Sequence, residues 1–494
     1  MNRTTNYSVT YFTMFNCLPR LTTLIIILSC TGFRGNAQVQ LFSVIKTDVD
    51  YKQSTFKAIE KRYNDDISQL KGDNKKYFKE IYKERFDYIK SNFDVEGIVT
   101  DPAAVSYINT LVKEILAYNP ALQVLNPRVL LYRAWWPNAS SLGEGTVLVN
   151  IGIINKFSNE AQLAFVLCHE LAHLYLNHSN KAIDKYINTV YSDEFQKELK
   201  KISKQAYEKN RQLDKLAKSI AFKDRRHSRE HESEADSMAI EFMKNTVFDL
   251  QESVTALGML DSIDNDKYNI APPLTRYFNN TAYPFREAWL KEPEAFFGGV
   301  QRSEEDQKVL DSLKTHPDCK KRVQNVTPIL TRYYKPGTKQ YIQEQSFRDW
   351  QQVFDREVIA YAYERDNVSL ALYYSLQALD HYPEDTWLMA MIGNSLNRMY
   401  VAQKKHELNK ISELPSPYHE KKYNQFLHFI QNLSLADIAS ISYYFLEEHK
   451  AIGASNETYV YALINSKEIY NKPAEKQEWI NYYKTKFTKP IFTF

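Results

Sequence analysis

From Asn159 to about Asn177 the chain reads as a helix that is apolar on every side, with Leu163, Phe165, Val166, Leu167, Leu171, Leu174 and Leu176 spread around it. A helix of that kind belongs in an interior, so a domain must be built around it. Its middle nevertheless carries His169-Glu170-Leu171-Ala172-His173. Burying an unpaired polar group costs about 2–7 kcal/mol, and these three side chains therefore need partners. At about 100° per residue, His173 stands about 40° around the helix from His169 and one turn on, so both imidazoles leave the same face. Glu170 is offset by about 100°, within reach of a water between the rings but not beside them as a third ligand. A zinc ion would satisfy this pattern; the plainer alternative is a hydrogen-bonded or solvated histidine pair.

Hydrolytic zinc takes three protein ligands and keeps one position open. His178, five residues past His173 and about 140° away on the same wheel, reads as a surface residue near the helix end. The third ligand is better sought in Ser228-Arg229-Glu230-His231-Glu232-Ser233-Glu234-Ala235-Asp236. Ala235, Ala239, Phe242 and Met243 mark the apolar face of a helix there. Glu232 and Asp236 fall within that face, Glu230 and Glu234 point nearly opposite, and His227 and His231 read as solvated. Glu232 would ligate the metal, and Asp236 would accept a hydrogen bond from a ligand histidine and fix its tautomer. A buried salt-bridge pair is the structural alternative.

The rest of the chain reads as mainly α. Only 13 glycines occur among 494 residues, too few for an all-β chain with many tight turns. A charged, Tyr/Phe-rich helical pair covers residues 50–93, split near Gly72-Asp73-Asn74. Asp101-Pro102 opens a helix with Val105, Ile108, Leu111, Val112, Ile115 and Leu116 at helical spacing, closed by Asn119-Pro120. Residues 128–136 and 146–151 have strand character, the second entered through Gly143 and Gly145 and expected to lie beside the cleft. A Lys/Glu-rich helix is expected over 193–218. Prolines 272, 273, 284 and 293 punctuate an irregular stretch, a helix-prone segment covers 304–313, and helices follow Pro336-Gly337 to about residue 488. Ala371, Ala378, Pro383 and Gly393 have the spacing of one tetratricopeptide unit, which two ordinary antiparallel helices would match equally well.

Residues 1–37 read as a secretory signal. Arg20 precedes the short apolar run Leu21–Leu28, and Gly35-Asn36-Ala37 offers small residues at the cleavage positions. Met14 offers a second start. Cys30 after Ile27-Leu28-Ser29 loosely resembles a lipoprotein cleavage box, so a lipid anchor at Cys30 competes with simple export to the periplasm or medium. No later stretch reaches the roughly 20 apolar residues of a membrane span. The 63 basic and 60 acidic side chains differ by three, and Arg3, Arg20 and Arg34 account for the difference. The remainder is neutral and has no broad basic footprint for nucleic acid. Cys168 and Cys319 read as two buried thiols or one bridge.

HExxH followed some 60 residues later by SRxxExEAD resembles metallopeptidase family forty-eight, the HtpX-like and CAAX-prenyl-protease-like gluzincins. Asn138-Ala139, Gly143, Gly145 and the strand through Gly152 resemble the segment before that family's zinc helix. Thr315-His316-Pro317 with Arg322 resembles its THPxxxxR segment. The resemblance spans about residues 100–330 and implies a zincin-type α+β domain with a small sheet. It implies one Zn²⁺ per chain held by His169, His173 and Glu232, with Glu170 as the base and Asp236 behind a ligand. The absence of further spanning helices resembles the soluble periplasmic branch, some members of which carry C-terminal tetratricopeptide repeats. The expected divisions are a signal over 1–37, a helical segment over 38–99, the zinc domain over 100–335 and a helical, TPR-like domain over 345–494.

The function so implied is zinc-dependent endoproteolysis of exported or envelope proteins in quality control. Extended polypeptides would add as a strand to residues 146–151, and an envelope partner would be met by the C-terminal helices. His316 and Arg322 are expected to stabilise an oxyanion. Two alternatives stay open: His316 occupying the free zinc position, or a helix start in which Thr315 caps and Arg322 makes a surface ion pair. The competing function is a periplasmic chaperone holding clients through the C-terminal helices. An intact Glu170 weighs against it, because a binding protein needs no such base.

Overall fold

A computed structural model describes residues 42–72, 74–94, 96–203, 229–261, 274–291, 319–333, 338–416 and 419–494. The signal segment with Cys30, and His316 with its Thr-His-Pro context, lie outside the described residues. Two compact units emerge. The first comprises, among described residues, 46–203, 229–261, 319–333 and 338–350. The second comprises 42–45, 274–291 and 351–494.

In the first unit, α1 (Val49–Gln69) and α2 (Lys75–Asp94) form the helical pair. Their facing apolar residues Ile59, Ile89 and Phe93 close over Leu130, Tyr132 and Leu148 of the sheet. Asp101 caps α3 (Pro102–Ala117) by accepting from the Ala103 and Ala104 amides, with proline in the first turn, where a missing N–H costs nothing. The sheet contains β1 (Arg128–Tyr132), β2 (Ala139–Ser141) and β3 (Thr146–Asn150) in the order β1-β3-β2, with β1 parallel and β2 antiparallel to β3.

This order corrects the expectation for residues 146–151. β3 is wholly buried and hydrogen-bonded on both sides, so it cannot receive another strand. The outer strand packed beside the zinc helix is β2. Gly143 and Gly145, at φ +80° and +100°, make the β2–β3 turn in a region that L side chains rarely adopt. The first predicted strand stops at Tyr132. Gly152 begins no strand but sits in a single helical turn, Ile151–Ile154, where a Cβ would fall 2.1 Å from the Trp135 carbonyl oxygen.

α4 (Glu160–Tyr175) is the apolar helix, buried along almost its whole length. Asn159 caps it by accepting from the Gln162 amide at 3.0 Å. The Glu160 carboxylate is fully buried and accepts from Tyr107 Oη at 3.0 Å and from the Ile342 and Gln343 amides at 2.5 and 2.9 Å. These contacts fix the start of α4 to α3 and to the chain 180 residues later. The chain continues into α5 (His178–Val190), a second helix over 229–243 (α6), α7 (Glu252–Asp261) and α8 (Cys319–Leu330). α7 packs on both α4 and α8.

The second unit is helical: α9 (Glu344–Glu364, entering from the first unit), α10 (Val368–His381), α11 (Thr386–Lys404), α12 (Lys421–Asn432), α13 (Leu435–Glu448), α14 (Glu457–Ile469) and α15 (Pro473–Lys486). α11 is its hub, packing on α10, α13 and α14. Gly393 lets α13 approach, since a Cβ there would meet the Leu446 side chain at 2.7 Å. The boundaries expected from sequence put residues 264–303 in the zinc domain. Their described part, 274–291, instead packs among the C-terminal helices. Tyr283 Oη donates to Asp437 at 2.6 Å, Arg286 pairs with the same carboxylate, and Phe278 stacks on Phe429. The segment 42–45 joins this unit as well, with Ser43 Oγ and the Val44 and Ile45 amides donating to the buried Glu357 carboxylate.

Candidate metal centre

The structure brings His169, His173 and Glu232 together across α4 and α6. Their ligand atoms all lie within 4.8 Å of one another. His169 Nε2 is 3.0 Å from His173 Nε2 and 3.5 Å from one Glu232 oxygen, and His173 Nε2 is 3.4 Å from the other. Zinc bonds of about 2.0–2.2 Å in a tetrahedron set ligand atoms about 3.3–3.6 Å apart; the two contacts to Glu232 match that spacing and the imidazole pair sits slightly closer. The donor set, two imidazole nitrogens and a carboxylate, is also one that zinc accepts. The residues present therefore fit the ion. Glu170 is buried on the same helix, 3% exposed, one position after the first ligand.

Asp236, one turn after Glu232, lies 3.0 Å from His169 Nδ1. Burial alone would lower the His169 imidazole, but hydrogen bonds to Asp236 and Glu232 outweigh it and push it up to about 10 without the metal. Asp236 is held below the ordinary carboxylate range. Its burial raises it, and the hydrogen bonds from Arg322 and His169 more than reverse that.

Arg322 is placed differently from the sequence expectation. It is 3% exposed, so it makes no surface ion pair, and its guanidinium is engaged by the site's carboxylates. Nε and Nη2 donate to the two Asp236 oxygens at 2.7 and 2.6 Å, and Nη1 is 3.0 Å from Glu232. A guanidinium gripped bidentately by one carboxylate and touching a second is a clamp. This grip holds Glu232 and Asp236 in place. Desolvation works against its charge, but the Asp236 contact prevails and keeps it protonated.

His178 is the residue that sequence reasoning misplaced. It is 3% exposed, not on the surface. The wheel assumed that α4 runs on past Leu176. Instead Asn177 turns left-handed (φ 57°, ψ 35°) and starts α5, which swings His178 back under His173. Its Nδ1 lies 2.9 Å from His173 Nδ1, its Nε2 3.1 Å from Glu234, and its ring stacks on His231 at 4.1 Å. Burial and the neighbouring histidines lower it to about 4. The signal available in the sequence was Asn177, a residue that tolerates the left-handed conformation where a helix ends. Glu234 is largely exposed, and His231, read as solvated, is half-buried against His178.

Cys168 and Cys319 are both buried and unbridged. Burial raises both thiols, Cys319 to about 11, so neither is a ready nucleophile. No helix among the described residues is long and apolar enough to cross a membrane.

No curated protein matches the chain. Residues 107–329 match the sequence profile of Peptidase family M48, a stretch that contains α4, α6 and α8 and hence every member of the cluster just described. With a zinc-type ligand set inside that matched segment, residues 107–329 form an M48-type metallopeptidase segment, and the activity of that family is zinc-dependent peptide hydrolysis.

Proposed function

We propose that the protein is an endopeptidase that cleaves extended segments of exported or envelope proteins, in a quality-control role. The observation that carries the chemical part is the convergence of His169 Nε2, His173 Nε2 and the Glu232 carboxylate, with Glu170 buried one position after His169 on the same helix. Zinc in this ligand set supplies Lewis acidity towards a scissile carbonyl and makes water acidic near neutral pH. Glu170 takes the proton of the attacking water at its carboxylate and delivers it to the leaving amine. Asp236 orients His169 through Nδ1, and Arg322 holds Asp236 and Glu232 in place.

An extended peptide would add to the outer edge of β2 near Ala139, since β3 is occupied on both sides and the Ser141 carbonyl already accepts from Ser179 Oγ. A folded protein offers no such strand, which favours unfolded segments and loops as substrates. Export is supported by the pattern of residues 1–37, with lipid attachment at Cys30 as its alternative. The C-terminal helices, read as TPR-like, would present the surface for an envelope partner. A client-holding chaperone without proteolysis is not favoured, given the intact base and ligands.

Casein-type cleavage with and without a chelator tests the activity, and trapping by Glu170→Gln followed by mass spectrometry identifies the substrates. Cleavage that persists after complete zinc removal would overturn the reading.

A further inference from the structure

The two ligand histidines have unlike supports. His169 Nδ1 faces a carboxylate, Asp236, at 3.0 Å. His173 Nδ1 faces another imidazole, His178 Nδ1, at 2.9 Å. The geometry points to His178 as the positioning residue for His173, an acceptor that sets the tautomer and ring plane of the second zinc ligand. This rests on the metallopeptidase reading, in which His173 presents Nε2 to the metal.

The proton order along the chain follows from that assignment. With Nε2 of His173 given to the metal, its remaining proton is on Nδ1, and Nδ1–H donates. His178 Nδ1 must then offer its lone pair, which puts the His178 proton on Nε2. That Nε2–H has its acceptor in place, Glu234 Oε2 at 3.1 Å. His231, stacked at 4.1 Å with ring planes 11° apart, holds the plane of His178. Every nitrogen from the metal outward thus has one role, and the line ends at a carboxylate largely open to solvent. The left-handed turn at Asn177 makes this possible, because on a continuous helix the residue five after a ligand points away from it.

Such outer partners typically change metal affinity by about 10–100-fold. The test is zinc affinity of the full chain, measured by chelator competition, together with the visible spectrum of the Co²⁺-substituted protein. His178→Ala should weaken zinc about 10–100-fold and shift the cobalt bands. His178→Asn places an amide oxygen near the Nδ1 position and should recover affinity to within about threefold of wild type, whereas His178→Gln reaches towards Glu234 and should behave as the alanine variant. Folding of each variant is checked by circular dichroism. Wild-type affinity and an unchanged cobalt spectrum in His178→Ala would overturn the proposal. So would equal rescue by Asn and Gln, which would mean that the ring only fills space. A wild-type chain that took up no zinc would defeat the metallopeptidase reading itself, and this proposal with it.

Discussion

In the first unit Arg322 lies buried under Glu232 and Asp236; in the second, Lys467, 1% exposed, lies under Glu447 and Glu475, with the Tyr443 ring 5.1 Å from its ammonium. Both are cations removed from water and matched by two carboxylates, and charge alone would not distinguish them. The difference is what the carboxylates also face. Glu232 turns its oxygens to the Nε2 atoms of His169 and His173, so lone pairs converge on one point, and Asp236 backs His169 at Nδ1. Around Lys467 the remaining acceptors meet other donors: Tyr443 Oη donates to Glu475 and Lys450 Nζ to Glu447. A buried ion cluster becomes a candidate metal site when acceptors are left aimed at each other, and the Lys467 cluster leaves none.

The comparison breaks most visibly at Glu170. Glu170→Gln keeps all three ligands and should retain zinc and thermal stability while losing about 10²–10⁴-fold in kcat. Turnover within a few-fold of wild type, with one zinc bound, would remove Glu170 from its role.

Next come the carboxylates and their cation. Glu232→Ala should empty or loosen the zinc site, whereas Glu234→Ala, which removes an exposed carboxylate, should keep it filled; metal analysis after dialysis decides. Arg322→Ala strands two buried carboxylates, and breaking a buried pair in this way costs about 3–5 kcal/mol. Lys467→Ala should cost less, about 1–3 kcal/mol, because Glu475 and part of Glu447 reach solvent once the ammonium is gone. Urea titration of both variants orders them. If Lys467→Ala proves the more damaging, burial is the wrong measure of the difference.

What could be read from the sequence divides along the same physical line. His169, Glu170 and His173 follow from local helix geometry, and the inward phase of Glu232 and Asp236 from one apolar face. Local periodicity also places α1, α2, α3 and the body of α4. Relations that depend on distant chain were not legible. Arg322 pairs with Asp236 across 86 residues, and no spacing rule tells a clamp from an oxyanion donor. The central place of β3 depends on β2, a three-residue strand with too little pattern to declare itself. The docking of 274–291 onto the C-terminal helices rests on Tyr283, Arg286 and Trp289, scattered among prolines without a period.

The smallest expected effect concerns a charge in the second unit that has no chemistry to perform. Asp437 completes a capping box with Ser434 at the start of α13 and accepts from Tyr283 Oη. Burial raises its carboxyl, but the hydrogen bonds from Ser434 and Tyr283, with Arg286 beside it, bring it below the ordinary range. A group depressed on folding contributes stability above its unfolded pKa and loses it as the pH falls through the folded value. Asp437 should therefore stabilise this unit at neutral pH, and its contribution should fade as the medium becomes more acidic than the usual carboxylate range. Asp437→Asn keeps the shape but has one acceptor oxygen where two are used, by Ser434 on one side and Tyr283 on the other. It should lower stability by about 1 kcal/mol at pH 7 and converge with wild type in acid. Thermal melts from pH 7 down to pH 3 measure the gap, and a gap that stays constant over that range would show that the carboxylate acts there only by its shape.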